Sequence, residues 1–371
     1  MKIFFDILEI INHFDEPCGT GRFEYIGSCA KGLYCWKGLC TNDTDVDKDN
    51  TDKPLRNIQR IRSTYSTSTR RKNWMKDVPD ETYLGTMSIP GTHDTMTASS
   101  GSATNRVTLC GQCHSKTLTQ QLEMGIRFLD IRLRCYINEF WLYHGSESIG
   151  ITFKETLKRI KTFLRANRGE TVIMSYQDEH TPYKCDDDKN DNWFSDLFKR
   201  EWETLHSSMR YSNYDNNCWP KLKDTRGKVV LWRQSGKAKI GFKKNNGFEN
   251  TWEGVASFYG SITEQYKKDL KTNIEKSMKY PTGKYPYITY LSASDIKRLA
   301  WLNPLHIAKK INPYIKNFLS NLNTAEINTK KFGVVAMDFP SNGLVDEIIK
   351  RNPLKGKTYN CKTFQKLYYV I

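Results

Sequence analysis

The sequence predicts an α/β protein, a closed (β/α) barrel carrying a small N-terminal cysteine-rich module. Three observations carry that prediction. Short apolar runs alternate with helix-period segments across most of the chain, which argues a parallel sheet, and the number of units argues closure into a barrel. Charged and polar side chains fall again and again at the C-terminal ends of the predicted strands, where barrels of this kind build their sites. The length of 371 residues fits a barrel of ~250 residues plus an appendage.

Taken in order, residues 1–17 form an N-terminal segment that begins like a signal peptide at Met1-Lys2-Ile3-Phe4-Phe5 and is then interrupted by Asp6 and Glu9. Residues 18–40 hold Cys18, Cys29, Cys35 and Cys40 in a stretch without the apolar mass for a core. It contains no C-x₂-C and no histidine, so disulfides are expected rather than zinc, and all three pairings stay open. Asn42-Asp43-Thr44 is a glycosylation sequon. Together these features place the chain in a secreted setting, peripheral to membranes. Residues 41–72 read as a linker, acidic at Asp43, Asp45, Asp47 and Asp49 and basic from Arg60 to Lys72.

Residues 73–371 form the barrel. Leu84–Ile89, Ile126–Leu133, Phe140–Tyr143, Val172–Met174, Val229–Trp232, Tyr287–Leu291 and Val334–Met337 are its predicted strands. An amphipathic stretch around Leu118, Leu122 and Met124 precedes the second. Leu157, Ile160, Phe163 and Leu164 mark a helical stripe over 153–164, and Leu305–Leu322 is a further helix. Cys110-Gly111-Gln112-Cys113-His114 matches the c-type haem attachment spacing, but haem needs a second axial ligand and a fold built around it. Cys110 and Cys113 are therefore expected to form a disulfide, with each other or with Cys135, and His114 is read as structural or surface.

The charge balance, 57 basic against 41 acidic residues, leaves +16 and suggests an anionic partner. No run approaches the ~20 apolar residues that span a bilayer, which excludes an integral helical membrane protein. No nucleic-acid module is present and the positive charge is spread along the chain, so the expected partner is an anionic phospholipid surface rather than nucleic acid. The chain is read as a monomer.

His93-Asp94, Arg132, His144, Gln177-Asp178-Glu179, Arg233 and Asp338 are the polar groups at the predicted strand ends. Two histidines and an arginine suit acid–base cleavage of a phosphodiester. One imidazole takes a proton from an attacking hydroxyl, the other returns one to the leaving oxygen, and the guanidinium holds the phosphate. Each imidazole needs a carboxylate or carbonyl to fix its tautomer. No G-x-S-x-G elbow and no P-loop appears.

At these residues the chain resembles a known family. Trp74 to Met96, with Ser88-Ile89-Pro90-Gly91-Thr92-His93-Asp94-Thr95, resembles the opening of the X domain of bacterial-type phosphatidylinositol-specific phospholipase C. Gln121 to Arg132 is similar to its second motif and Tyr143-His144-Gly145 to its third, with looser similarity onward to Asp338. The resemblance implies a distorted TIM barrel of the phospholipase C-like phosphodiesterase type. It implies cleavage of phosphatidylinositol, or a related glycolipid, to diacylglycerol and inositol 1,2-cyclic phosphate. In that reading His93 is the general base steadied by Asp338, His144 the general acid partnered by Asp94, and Arg132 the phosphate clamp. Arg132 stands where the calcium-dependent branch has an acidic ligand, so no metal is expected, with Ca²⁺ as the alternative. Glu179, Arg233 and Tyr266 match substrate-binding positions, and Gln177 stands where a lysine is expected, which leaves the headgroup less fixed than the reaction. The competing readings are a phosphodiesterase for another phospholipid headgroup and a noncatalytic lipid- or glycan-binding barrel.

Overall fold

The computed structural model describes residues 34–36, 39–41, 71–98, 111–179, 181–185, 192–214, 219–234, 237, 239–243, 263–279, 287–293, 303–322 and 331–352. The segment 1–17, most of the linker, Asn42 and cysteines 18, 29, 110, 218 and 361 lie outside them. Two compact units divide the chain. In the first, Met1–Thr67, β1 (Tyr34–Trp36) and β2 (Leu39–Thr41) form an antiparallel hairpin with Cys35 directly opposite Cys40.

The second unit, Ser68–Ile371, begins its sheet at β3 (Ser88–Thr92). There follow α1 (Leu118–Glu123), the hairpin pair β4 (Phe128–Tyr136) and β5 (Glu139–His144), β6 (Glu147–Thr152) and α2 (Phe153–Ala166). Next come β7 (Val172–Asp178), α3 (Trp193–Trp202), α4 (Leu222–Thr225), β8 (Val229–Arg233) and β9 (Phe242–Lys243). The unit ends with α5 (Glu264–Lys279), β10 (Ile288–Tyr290), α6 (Pro304–Ser320), β11 (Gly333–Met337) and α7 (Asn342–Ile349). Seven strands run parallel in the order β10-β11-β3-β4-β7-β8-β9, and β5 and β6 add antiparallel at β4. Among the described residues no pairing joins β9 to β10, so the sheet is a curled half-barrel.

Local chemistry explains the elements. Thr117 and Gln120 form a reciprocal capping box on α1, and Thr152 accepts from the Glu155 amide at the start of α2. Along α2 the stripe Leu157, Ile160, Phe163 and Leu164 is buried as its period requires. The predicted strand over 84–89 is displaced. Leu84–Thr86 is a 3₁₀ turn whose Leu84 amide is held by the Pro220 carbonyl, and the strand starts only at Ser88.

Both faces of the sheet are covered, but by different partners. Leu129, Ile131, Val172, Met174, Val229, Leu231, Val335 and Met337 pack with the helices. Ile89, Phe128, Ile173, Val230, Trp232, Ile288, Tyr290, Val334 and Ala336 form the concave core. This period-2 division decides which side chains can enter the site.

At the N-terminal pole, Arg127 and Glu170 are fully buried and paired at 2.7 Å. Arg127 also donates to the carbonyls of Leu122 and Ile126, each at 2.7 Å, and Glu170 accepts the amides of Met75 and Lys76. The pair ties β4 and β7 to the segment before β3. On the other side, Cys135 is bonded to Cys185, so the expected pairing of Cys135 with Cys110 or Cys113 does not form. Cys113 is a free, buried thiol.

Candidate active site

The register of neighbouring parallel strands brings the sequence-predicted groups together. Met337 lies beside Thr92, so Asp338 and His93 follow as neighbours one step on. Thr92 lies beside Leu129, which sets Asp130 next to His93, and Arg132 lies beside Gln177. The close approach of β3 to β4 explains Gly91: a Cβ there would stand 2.7 Å from the Phe128 ring.

His93 is the hub. Its Nδ1–H donates to Asp338 Oδ1 at 2.9 Å, which leaves Nε2 as acceptor for Arg132 Nη2 at 2.8 Å. Burial pushes this imidazole down, but the Asp338 charge and hydrogen bond outweigh it and hold the group above its ordinary value. Asn312 on α6 fixes the other partner by donating to the Asp338 carbonyl at 2.9 Å. His114, fully buried, donates through Nε2 to the His93 carbonyl at 2.6 Å. Burial drives the His114 pKa down to about 4, so it is a neutral structural prop.

Arg132 sits among carboxylates, with Glu179 at 3.1 Å and Asp130 at 3.3 Å. Asp94 is 3.5 Å from its Nε, an ion-pair distance outside hydrogen-bond geometry. Burial lowers the guanidinium's pKa, and these three charges more than reverse that, so Arg132 is a permanent cation. Asp94 enters the site because its φ of +42° turns the chain back after β3, a conformation aspartate tolerates. Its carboxyl is raised by burial against the opposing pull of Arg132 and His144.

His144 faces His93 with ring centroids 6.2 Å apart. Its Nδ1–H donates to the Gly111 carbonyl at 2.7 Å, and its Nε2 lies 3.4 Å from Asp94 Oδ2. It arrives on β5, which runs antiparallel to β4, and so it comes from a hairpin rather than from the end of a parallel barrel strand.

The substrate-binding positions divide. Glu179 and Gln177 are in the cluster: Gln177 donates to Glu179 Oε2 at 2.9 Å, while Glu179 Oε1 takes Arg132 and the Gly145 amide. Arg233 is not. It shares the helix-facing register of Val229 and Leu231, and its Nε donates to the Gly241 carbonyl at 3.2 Å. The inward residue is its neighbour Gln234, which donates to Asp130 Oδ1 at 3.3 Å and to Ser175. Tyr266 is buried on α5 with its hydroxyl bound to the Ser292 carbonyl at 2.6 Å, so its ring serves the core.

The sequence reading missed four contributors. Asp130 had a signal, since it stands two residues before Arg132 on the same strand face. Gln234 is found by the same parity count from Val230 and Trp232. Tyr290, whose ring meets His93 edge-on at 6.0 Å, lies within the strand predicted over Tyr287–Leu291 and ends β10. His114 acts through a backbone carbonyl, which leaves no sequence trace.

The three carboxylates around Arg132 converge on the guanidinium, which occupies the position a divalent cation would need among them. That donor set does not fit calcium. His93, Cys113 and Asp338 offer ligand atoms within 4.8 Å of one another, but burial pushes the Cys113 thiol well up, away from the thiolate a metal prefers.

Residues 87–235 match the family model for the X domain of phosphatidylinositol-specific phospholipase C. The chain is 28% identical over 315 residues to a 1-phosphatidylinositol phosphodiesterase of Listeria monocytogenes, covering 82% of this chain and 89% of that protein. A second 1-phosphatidylinositol phosphodiesterase, from Staphylococcus aureus, is 26% identical over 77% of this chain and 96% of its own length. The solved phosphatidylinositol-specific phospholipase C from Listeria monocytogenes superposes with a TM-score of 0.61 at 26% identity, covering 76% of this chain and 99% of that one. Residues 87–235 of the chain are thus similar to the X domain of phosphatidylinositol-specific phospholipases C, and most of the chain is similar to bacterial 1-phosphatidylinositol phosphodiesterases.

Proposed function

We propose that this protein is a phospholipase C-type phosphodiesterase that cleaves phosphatidylinositol at a membrane surface without a metal. The observation that carries the reading is the pair of imidazoles 6.2 Å apart, with Arg132 against His93, each with its Nδ1–H already committed, to Asp338 and to the Gly111 carbonyl. Each ring thereby keeps Nε2 for proton transfer, that of His93 against Arg132 Nη2 and that of His144 3.4 Å from Asp94 Oδ2. The inositol 2-hydroxyl attacks phosphorus as its proton passes to His93 Nε2. His144, protonated, gives its proton to the diacylglycerol oxygen as the P–O bond to it breaks. The products are diacylglycerol and inositol 1,2-cyclic phosphate.

Arg132 supplies the electrostatic part. Its Nη2–H now donates to His93 Nε2, and a phosphate oxygen competes for that donor, freeing the base as substrate binds. A fixed guanidinium performs the charge-neutralising role that a cation would otherwise take. Gln177 and Glu179 stand where the headgroup enters, and Gln234 and Asp130 hold the floor beneath. The Cys18–Cys40 stretch is read as a disulfide-held appendage of a secreted, membrane-peripheral monomer.

The test is product analysis with phosphatidylinositol vesicles in EDTA, beside a His93→Ala control. Cyclic inositol phosphate from the wild type alone is the expected result. Cleavage that requires added calcium overturns the metal-free reading, and vesicle binding without cleavage under either condition overturns the reaction.

A further inference from the structure

Among the described residues, the exposed large apolar side chains are Tyr136, Ile137 and Tyr183, at 39%, 55% and 43% exposure, and they lie together. We propose that the tip of the β4–β5 hairpin and residues 181–185 form a docking surface for a phospholipid bilayer. The inference rests on the lipid-cleaving reading above and adds the place where the membrane is held.

Four observations support it. The rings of Tyr136 and Tyr183 are stacked, 5.1 Å apart and 18° from parallel, beside Ile137, so the three make one apolar platform. Ile137 and Asn138, the two residues of the turn, both have φ of +52°. Such turns favour Asn and Gly, and a β-branched residue there is strained. An isoleucine that suits neither the backbone nor water at that position is explained by what its side chain touches.

The platform is also braced. The Ile137 amide donates to the Tyr183 carbonyl at 2.9 Å, the Tyr183 amide to the Cys135 carbonyl at 3.0 Å, and Arg134 Nε to the Thr181 carbonyl at 2.8 Å. The Cys135–Cys185 disulfide joins the two segments, and Arg200 donates to the Asn138 carbonyl at 2.7 Å. Apolar side chains are thus held outward on a rigid support.

Position and chemistry then select the partner. β4 carries Asp130 and Arg132, and Tyr136 lies four residues further along it, roughly 13 Å at ~3.3 Å per residue. A bilayer resting on the tip is therefore presented to the catalytic end of the sheet. Tyrosines place an apolar ring and a polar hydroxyl at the depth where lipid tails meet headgroups. Lys184, with its ammonium 5.3 Å from the Tyr183 ring centroid, adds a cation at headgroup level.

The test is sedimentation with sucrose-loaded phosphatidylcholine–phosphatidylinositol vesicles, comparing wild type with Tyr136→Ser/Ile137→Asn/Tyr183→Ser. Partitioning is expected to fall by at least about tenfold, while cleavage of monomeric short-chain phosphatidylinositol stays unchanged. In the single variant Ile137→Trp, which retains the platform, tryptophan emission is expected to shift blue on vesicles. Unchanged partitioning of the triple variant, or no blue shift, overturns the proposal. So does a dimer in sedimentation velocity that the triple variant loses while still binding vesicles, since that assigns the platform to a second copy. Failure of the wild type to cleave either substrate sinks the proposed reaction and leaves the vesicle results to be read separately.

Discussion

Replacing Asp338 by asparagine keeps the shape of the group beside His93 and removes its charge. The pair is buried and bonded at 2.9 Å, and Asn312 holds the Asp338 backbone carbonyl in either form. A carboxylate about 4 Å from the imidazolium charge, at an effective dielectric constant of about 20, contributes about 4 kcal/mol. Asparagine retains some hydrogen bonding, so a net loss of about 3 kcal/mol from the transition state is expected, or roughly two orders of magnitude in kcat. The pH dependence gives an independent sign. His93 must be neutral to accept a proton, and Asp338 holds its pKa above the ordinary value, so the acid limb of the wild-type profile lies correspondingly high. In Asp338→Asn burial and the Arg132 charge outweigh the remaining pull of Asp130, and the limb moves to lower pH. The assay is initial-rate cleavage of phosphatidylinositol in mixed micelles across pH, with thermal melts to confirm folding. Activity within about threefold of wild type, or a limb moving upward, refutes the role given to this pair.

Four further outcomes are expected. Arg132→Lys keeps the charge but loses the fork that reaches Glu179, Asp130 and His93, and kcat in EDTA should drop by about 10²–10³ without rescue by calcium. His114 has its pKa depressed to about 4 from 6.5, so it stabilises the fold above pH 6.5 and that contribution, about 3 kcal/mol, is lost as pH falls through this window. Urea titrations of His114→Gln should lack that part of the pH slope. Glu170→Gln breaks the fully buried pair with Arg127 and should cost about 3–5 kcal/mol in denaturant melts, while kcat/KM per folded molecule is unchanged. Removing the Cys135–Cys185 bond, which closes a loop of 50 residues, should destabilise by up to about 4 kcal/mol in the chain-entropy account, read as a lower Tm under reducing conditions.

Much of this was legible in the sequence, and the failures have physical reasons. The central strands β7, β8 and β11 are buried on both faces over much of their length, so each leaves a continuous apolar run. The edge strand β9, two residues long, leaves none. His93, Asp94, Arg132, His144 and Asp338 were identified at strand ends, and the register gathers them. Strand ends alone do not give the face, however. Arg233 and Gln234 are adjacent, and the one-residue difference in parity sends the arginine to the helix layer and the glutamine into the site. The cysteines failed for another reason, because pairing depends on distances between segments 50 residues apart that spacing does not encode.

The charge balance of the site bears on how an anionic substrate enters it. Arg132 carries one positive charge, and Asp94, Asp130 and Glu179 surround it, so the guanidinium alone offers a phosphate no net attraction. Two features correct the balance. Burial raises the Asp94 carboxyl against the opposing pull of Arg132 and His144. Asp338 raises His93, which sustains a cation beside the same centre as the transferred proton arrives. The carboxylates then act as positioning groups. They hold the guanidinium plane beside His93 by contacts at 3.1–3.5 Å. Specific geometry in this cluster comes from fixing one arginine with several acids, and the charge that develops on proton transfer is met by the carboxylate that raises His93.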